Sequence, residues 1–286
     1  MFSPVVVWNA THHWASFAFQ GGRAEGLRFH PFAPLGVLAG EALFVLPWIW
    51  LPMMAVGIAA LRRGPGDWRR WLLCWLAAPP IVLFAAIAAW SSQRILFHWA
   101  APGYLMLFPL LGEALVPHLR RPAVRRTLIG TATLALGAVA VISVQLSLGW
   151  LHPVIAAVAR KDPTAEGIDW TSLRTDLRAR GLLHPGSLVG VPNWRDAGKV
   201  AYGLGPDVTV ICLNRDSRQF GFADPASAFL GRDMLILAPE HAASVPGQLG
   251  GNFASLRRLP DSAVTHAGHE LQPVGVFQGD DLRVAP

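Results

Sequence analysis

An arginine, a histidine and two large polar-edged aromatics fall within the stretch Arg94-Ile-Leu-Phe-His98-Trp99-Ala-Ala-Pro102-Gly103-Tyr104, between two apolar segments that a bare turn would have joined. A guanidinium forms strong charge-assisted hydrogen bonds to phosphate, and a protonated imidazole beside it adds another. Trp99 and Tyr104 belong to the side chains that settle at a membrane–water boundary. The combination predicts a contact for an anionic lipid head group, with Arg94 and His98 on the phosphate and Trp99 and Tyr104 flanking an apolar chain or a sugar. The plainer reading makes Arg94 a snorkelling anchor and Trp99 part of an aromatic belt.

The elements that position this stretch follow from composition. The 286 residues are 52% hydrophobic and 15% charged, the balance of a membrane protein. Four apolar runs, 34–61, 71–90, 95–116 and 128–151, each approach the ~20 residues that cross a hydrocarbon core as a helix. Residues 1–150 carry 11 Lys/Arg against 4 Asp/Glu, whereas 151–286 carry 13 against 14, so the net charge of +6 lies in the apolar half. Eight of the 11 are Arg62, Arg63, Arg69, Arg70, Arg120, Arg121, Arg125 and Arg126, in the loops after the first and third runs. By the positive-inside rule those loops are cytoplasmic, which places residues 1–33, the turn at 91–94 and the whole tail on the opposite face. The basicity therefore sets topology and is no footprint for nucleic acid.

Residues 1–33 contain no spanning run and no signal-peptide pattern, and are expected to lie on or near the outer membrane surface. Asn9, His12, His13, Trp14 and Gln20 there offer the mixture of aromatic faces and hydrogen-bonding groups that a sugar-bearing lipid needs; an amphipathic surface segment needs the same mixture. Glu41 falls inside the first run, where a carboxylate is costly and marks a candidate site. It is expected to pair with Arg94, to orient a phosphate ligand, or to be a protonated, hydrogen-bonded core residue. Glu113, near the cytoplasmic end of its run, is expected to pair with Arg120 or Arg121. Pro47, Pro52 and the Pro79-Pro80 pair should kink or split their helices. Cys74 and Cys212 are kept apart by topology, so no disulfide is expected, and no Cys/His spacing resembles a zinc site.

From Asp162 the composition becomes that of a water-soluble domain. Helices are expected over 164–180, closed by Gly181, and over 194–202, stopped by Gly203; strands are expected at 187–191, 208–213 and 234–238. Strands alternating with helices predict a small α/β domain with a partly parallel sheet. Trp194, Arg195, Asp196, Lys199, Asp216 and Arg218 sit at helix starts or strand ends, but no nucleophile elbow, phosphate-binding glycine loop or metal triad accompanies them. The organisation is thus 1–33 juxtamembrane, 34–151 four spans, and 162–286 an α/β domain.

Three stretches carry a resemblance: Pro4 to Arg23 with Trp8, Asn9, His12, His13, Trp14 and Gln20; Phe97-His98-Trp99-Ala-Ala-Pro102-Gly103-Tyr104; and Trp194-Arg-Asp196-Ala-Gly198-Lys199-Val-Ala-Tyr202-Gly-Leu204-Gly205. Together they resemble the C-terminal half of bacterial integral-membrane glycosyltransferases of the dolichyl-phosphate-mannose–protein mannosyltransferase-like family, which includes aminoarabinose transferases acting on lipid A. The resemblance implies a partial GT-C helical bundle in the bacterial inner membrane, with its N terminus and C-terminal domain periplasmic. It implies a polyprenyl-phosphate-linked sugar as donor, a lipid or glycan as acceptor, and no further cofactor. Such enzymes carry a catalytic acidic pair in their first extracytoplasmic loop. Residues 1–33 hold only Glu25, in a Gly/Arg context unlike that motif, so the chain is expected to be a fragment whose catalytic loop lies on a missing N-terminal half. The alternative from the same residues is a non-catalytic anchored module presenting an interaction domain; a flippase would need more charges within the runs than Glu41.

Overall fold

The computed structural model describes residues 3–22, 28–91, 95–158, 163–239 and 241–286. Arg94 and Glu25, named above as candidate and contrast, lie outside them. The chain forms two compact units, 1–130 and 131–286.

The first unit is helical. Helices α1 (Ser3–Thr11) and α2 (Ala15–Gly22) meet at a turn in which His13 and Trp14 take the left-handed conformation, with φ of 53° and 56°. Asn9 makes that turn possible. Its carbonyl accepts from the Trp14 N–H at 2.7 Å, and its buried side chain accepts from Ser16 N–H and donates to the Val5 carbonyl.

Helix α3 (Ala33–Val45) gives way to α4 (Pro47–Arg63) at Leu46, and the pair is bent by 112°. Pro47 accounts for the break, since it has no N–H to continue α3 and its ring disfavours the helical conformation at the residue before it; Leu46 there stands at φ 78°, ψ 124°. The kink expected at Pro47 is thus a sharp break. The Pro79-Pro80 pair behaves otherwise, because α5 (Trp68–Ala88) runs through both prolines without splitting. A 3-10 turn, Phe97–Ala100, leads into α6 (Ala101–Leu115), and α7 (Pro122–Leu148) follows.

Among the described residues three helical stretches are long and apolar enough to cross a membrane, and four if the bent α3/α4 pair is one span. Their exteriors match that chemistry: Leu43, Leu51, Leu76, Val82, Leu105 and Leu136 are all more than half exposed, a pattern suited to lipid contact rather than water. Inside the unit, Met53, Cys74, Ala77, Ile81, Leu107 and Leu111 form the packed seam between α4, α5 and α6. Helices α5 and α6 run antiparallel at very short range. A Cβ on Gly103 would stand 2.6 Å from the Ala77 carbonyl oxygen and 3.0 Å from Pro80 Cγ. Small residues at such crossings let helix backbones approach. The antiparallel register also corrects an expectation: Glu113 pairs with Arg70 of α5, its Oε2 accepting from Arg70 Nε at 3.1 Å, rather than with Arg120 or Arg121.

The second unit begins within α7, whose last turns pack on the chain that follows, which is why the boundary falls short of residue 151. Among the residues of α7 only Gln145 is buried. Its carbonyl oxygen accepts from Leu151 N–H at 2.7 Å while its amide nitrogen lies 3.0 Å from His152 Nδ1 and donates to Thr164 Oγ1 at 3.3 Å. Removing the Gln145 amide leaves the partly buried Leu151 N–H without its acceptor, so Gln145→Leu is expected to lower unfolding free energy by about 1 kcal/mol. Chemical denaturation of the detergent-solubilised chain measures it.

After α8 (His152–Val158), the helix expected from residue 164 begins only at Thr171: Pro163–Gly167 is a separate 3-10 turn, and α9 (Thr171–Ala179) is closed by Gly181 at φ +67°, as expected. Strand β1 (Leu188–Val191), helix α10 (Trp194–Leu204) and strand β2 (Thr209–Cys212) form a parallel crossover. Helix α11 (Phe220–Ala223) and strand β3 (Met234–Ala238) come next, then α12 (Val245–Leu249) and strands β4 (Phe253–Arg258), β5 (Ser262–His266) and β6 (His269–Leu282). The sheet order is β2-β1-β3-β6-β4, with β5 also on β6; β1 is parallel to β2 and β3, and β6 is antiparallel to β3, β4 and β5. One face packs Leu173, Leu177, Val200 and Leu204 of α9 and α10, and the other packs Val245, Leu249, Phe253 and Phe277. The partly parallel α/β domain is as expected; the antiparallel strands β4 to β6 are an addition. Gly203 lies within α10 instead of stopping it, because a Cβ there would come within 2.8 Å of the Trp170 backbone. The helix ends at Gly205, φ +87°.

Candidate functional site

In the first unit a polar chain runs through an apolar interior. Trp50 Nε1 of α4 donates to Tyr104 Oη of α6 at 3.0 Å, and Tyr104 donates in turn to Glu41 Oε2 of α3 at 2.5 Å. Glu41 has no exposed surface and Tyr104 only 2%. Among the described residues Glu41 Oε1 has no hydrogen-bond partner. A buried polar atom in that condition costs about 1–3 kcal/mol, so the carboxyl retains an acceptor position for a donor that a ligand could bring.

Beside it, a cleft of about 370 Å³ is lined by His30, Gly36, Val37, Gly40, Ser91 and Phe97 among others. Gly40 precedes Glu41 in α3, and the Phe97 ring packs against it, 3.3 Å from where a Cβ would be. Gly36 faces open space, since a Cβ there would meet nothing within 4 Å. The His30 N–H is tied to the Ala89 carbonyl at 2.7 Å, which holds the entry to α3 against the end of α5.

The candidates from the sequence are distributed as follows. Glu41 and Tyr104 are joined directly, and Tyr104 is buried between Glu41 and Trp50. His98 is exposed, with its ring 6.0 Å from Phe97, and Trp99 packs edge-on against Phe84 of α5 at 5.6 Å. Asn9 is enclosed by its own turn. His12 stacks on Trp8 at 4.4 Å with Nδ1 2.8 Å from the Trp8 carbonyl oxygen, His13 is exposed, and Trp14 meets Phe17 edge-on. Gln20 lies in α2, and nothing is assigned to its side chain. Among the described residues Glu41 bonds to Tyr104, and Tyr104 also to Trp50, not to the α1/α2 hairpin. Trp50 and His30 escaped the sequence reading. The signal for Trp50 was an indole nitrogen inside an apolar run, which needs an acceptor.

Burial pushes the Cys212 thiol up to about 11, and both cysteines are free. Among the described residues no group of three or more His, Cys, Asp or Glu is placed to hold a metal ion. His152, His266 and His269 do come together, their rings 5.7 and 5.8 Å from that of His152. Comparison of the chain with protein-family models, with curated proteins and with solved structures returns no match.

Proposed function

We propose that the chain is a multi-pass membrane protein that binds a polyprenyl-phosphate-linked sugar and serves glycosyl transfer to an extracytoplasmic lipid or glycan acceptor. The observation that carries the reading is the cleft beside Glu41. It lies at the end of α5 opposite Arg69 and Arg70, which the positive-inside rule makes the extracytoplasmic end. Val37, Ala88, Ile95 and Phe97 give it walls suited to a hydrocarbon chain, while His30 and Ser91 supply polar groups. Arg94, next to Ile95 in the chain, is the cation for the carrier phosphate, whose charge grows as the sugar departs. The four-span, partial GT-C arrangement in a bacterial inner membrane, with the α/β unit periplasmic, belongs to the same proposal.

Binding of polyprenyl phosphate to the full chain in nanodiscs tests it, with polyprenol as the uncharged control. The phosphate is expected to bind at least about tenfold more tightly than polyprenol, and Arg94→Ala to erase that preference. Gly36→Trp is expected to block both lipids without unfolding the chain, because the new side chain enters open space. Equal affinity for phosphate and polyprenol, or binding untouched by either variant, would overturn the reading.

A further inference from the structure

A second cleft, of about 490 Å³, lies wholly within the α/β unit, between residues 167–170 and one face of α10. Its helical wall comes from Arg195, Lys199 and Tyr202, whose spacing of four and then three residues aligns them on one side of a helix. Gly198 stands between them, and a Cβ at that position would meet nothing within 4 Å, so the wall is indented at its centre. Gly203 allows the end of α10 to press on the Trp170 backbone and close the cleft there. On the opposite wall Asp169 is immobilised by Thr171, whose N–H donates to Oδ1 at 3.0 Å and whose hydroxyl donates at 2.5 Å. Those hydrogen bonds hold its carboxyl below the usual carboxylate range, so it is an acceptor at neutral pH.

The side chains facing this space are unusual for a surface of purely structural origin. Tyr202 is 78% exposed, although Val200 and Leu204 on either side of it in sequence are fully buried. Lys199 Nζ lies 5.4 Å from the Trp170 ring centre, and the Arg195 guanidinium 5.5 Å from that of Trp194. An open phenol ring offers a face on which a sugar ring can stack. Two cations one turn apart supply charge-assisted donors for a carboxylate or phosphate, and the fixed Asp169 accepts from hydroxyl groups. The volume of about 490 Å³ is within the range of small-molecule sites and large enough for a ligand of saccharide size.

We propose that the cleft between residues 167–170 and the Arg195/Lys199/Tyr202 face of α10 is a binding site for an anionic saccharide, a sugar bearing a carboxylate or a phosphate. The site belongs to the α/β unit alone, so it succeeds or fails separately from binding of the carrier lipid at the Glu41 cleft.

Titration calorimetry on the full chain in nanodiscs, with glucuronate, mannose phosphate, glucose and inorganic phosphate as probes, tests the site. Glucuronate or mannose phosphate is expected to bind at least about tenfold more tightly than glucose or inorganic phosphate. Lys199→Met and Arg195→Gln are each expected to weaken the anionic sugar about tenfold while leaving glucose unchanged, and Tyr202→Ala to weaken every sugar while leaving inorganic phosphate unchanged. These three residues are at the surface of a helix, and an unaltered melting temperature shows that the variants are folded. Nanodiscs carrying phosphatidylinositol monophosphate distinguish a glycolipid head group from a free sugar: competition with glucuronate assigns the head group as a ligand, and its absence assigns the free sugar. No binding of either anionic sugar at millimolar concentration, equal binding of inorganic phosphate and mannose phosphate, or variants indistinguishable from the parent chain would each overturn the proposal.

Discussion

Gly103→Leu is expected to break the helical unit. The substituted Cβ would sit 2.6 Å from the Ala77 carbonyl oxygen, 2.9 Å from Ile81 Cγ1 and 3.0 Å from Pro80 Cγ. The first of these is backbone and the third is a ring locked into a helix, so neither can swing aside as a flexible side chain would. Overfilling a packed interior costs about 1–3 kcal/mol, and more where backbone must move. Here the shift must separate α5 from α6 along the seam formed by Cys74, Ala77, Leu107 and Leu111. Tyr104 is the next residue, so the same displacement pulls its hydroxyl from Glu41 and Trp50. The detergent-solubilised variant should melt well below the parent and lose polyprenyl phosphate binding, whereas Gly103→Ala should do so by less. A Leu variant that melts with the parent would show that the two helices do not meet at this residue.

Phe277→Ala is the corresponding change in the α/β unit. Phe277 lies at the middle of β6, 1% exposed, paired across to Ile236 on β3 and to Arg258 on β4. Its ring fills the face shared with Val245, Leu249 and Phe253, and the Arg258 guanidinium lies 5.7 Å from its centre. Truncating a buried phenylalanine costs about 3–5 kcal/mol, part for lost burial and part for the cavity left behind. Because β6 binds β3, β4 and β5 together, the loss should be shared across the sheet. Hydrogen exchange on the full chain is expected to show faster exchange at β3, β4 and β6 with the α4–α6 seam unchanged. Unaltered protection in the sheet would contradict the assigned position of the ring.

Local rules were a good guide wherever a single stretch decided the outcome. Pro47 broke its run where a helix lacks the next donor, and β3 occupies residues 234–238 as its unbroken apolar run predicts. Glycine in the tail answers to other constraints. Gly275 and Gly279, with Pro273, lie within the 14-residue strand β6. A Cβ at Gly275 would stand 2.4 Å from Ala242 Cβ, and one at Gly279 would stand 2.8 Å from the Phe253 ring. These glycines are there for neighbours distant in sequence, which no window along the chain can register. Gly203 was read as a helix stop for the same reason and is in truth the contact with Trp170.

The candidate sites divide in the same way. Glu41 is conspicuous in sequence because a carboxylate among apolar residues must be satisfied by something. Its partner Tyr104 is 63 residues away, and Tyr104 in turn accepts from Trp50, 54 residues from it; only packing of α3, α4 and α6 could select this chain. The aligned face of Arg195, Lys199 and Tyr202 is latent in the period of α10, but its opposite wall at Asp169 and Trp170 is supplied by another segment.

The apolar runs, the uneven arginine distribution and the change to an α/β tail are all legible along the chain, because burial, charge and backbone preference act over a few residues at a time. Long-range packing alone selected the antiparallel half of the sheet and both clefts. Each of those depends on distances between residues far apart in the chain, and such distances exist only once the helices and strands have packed.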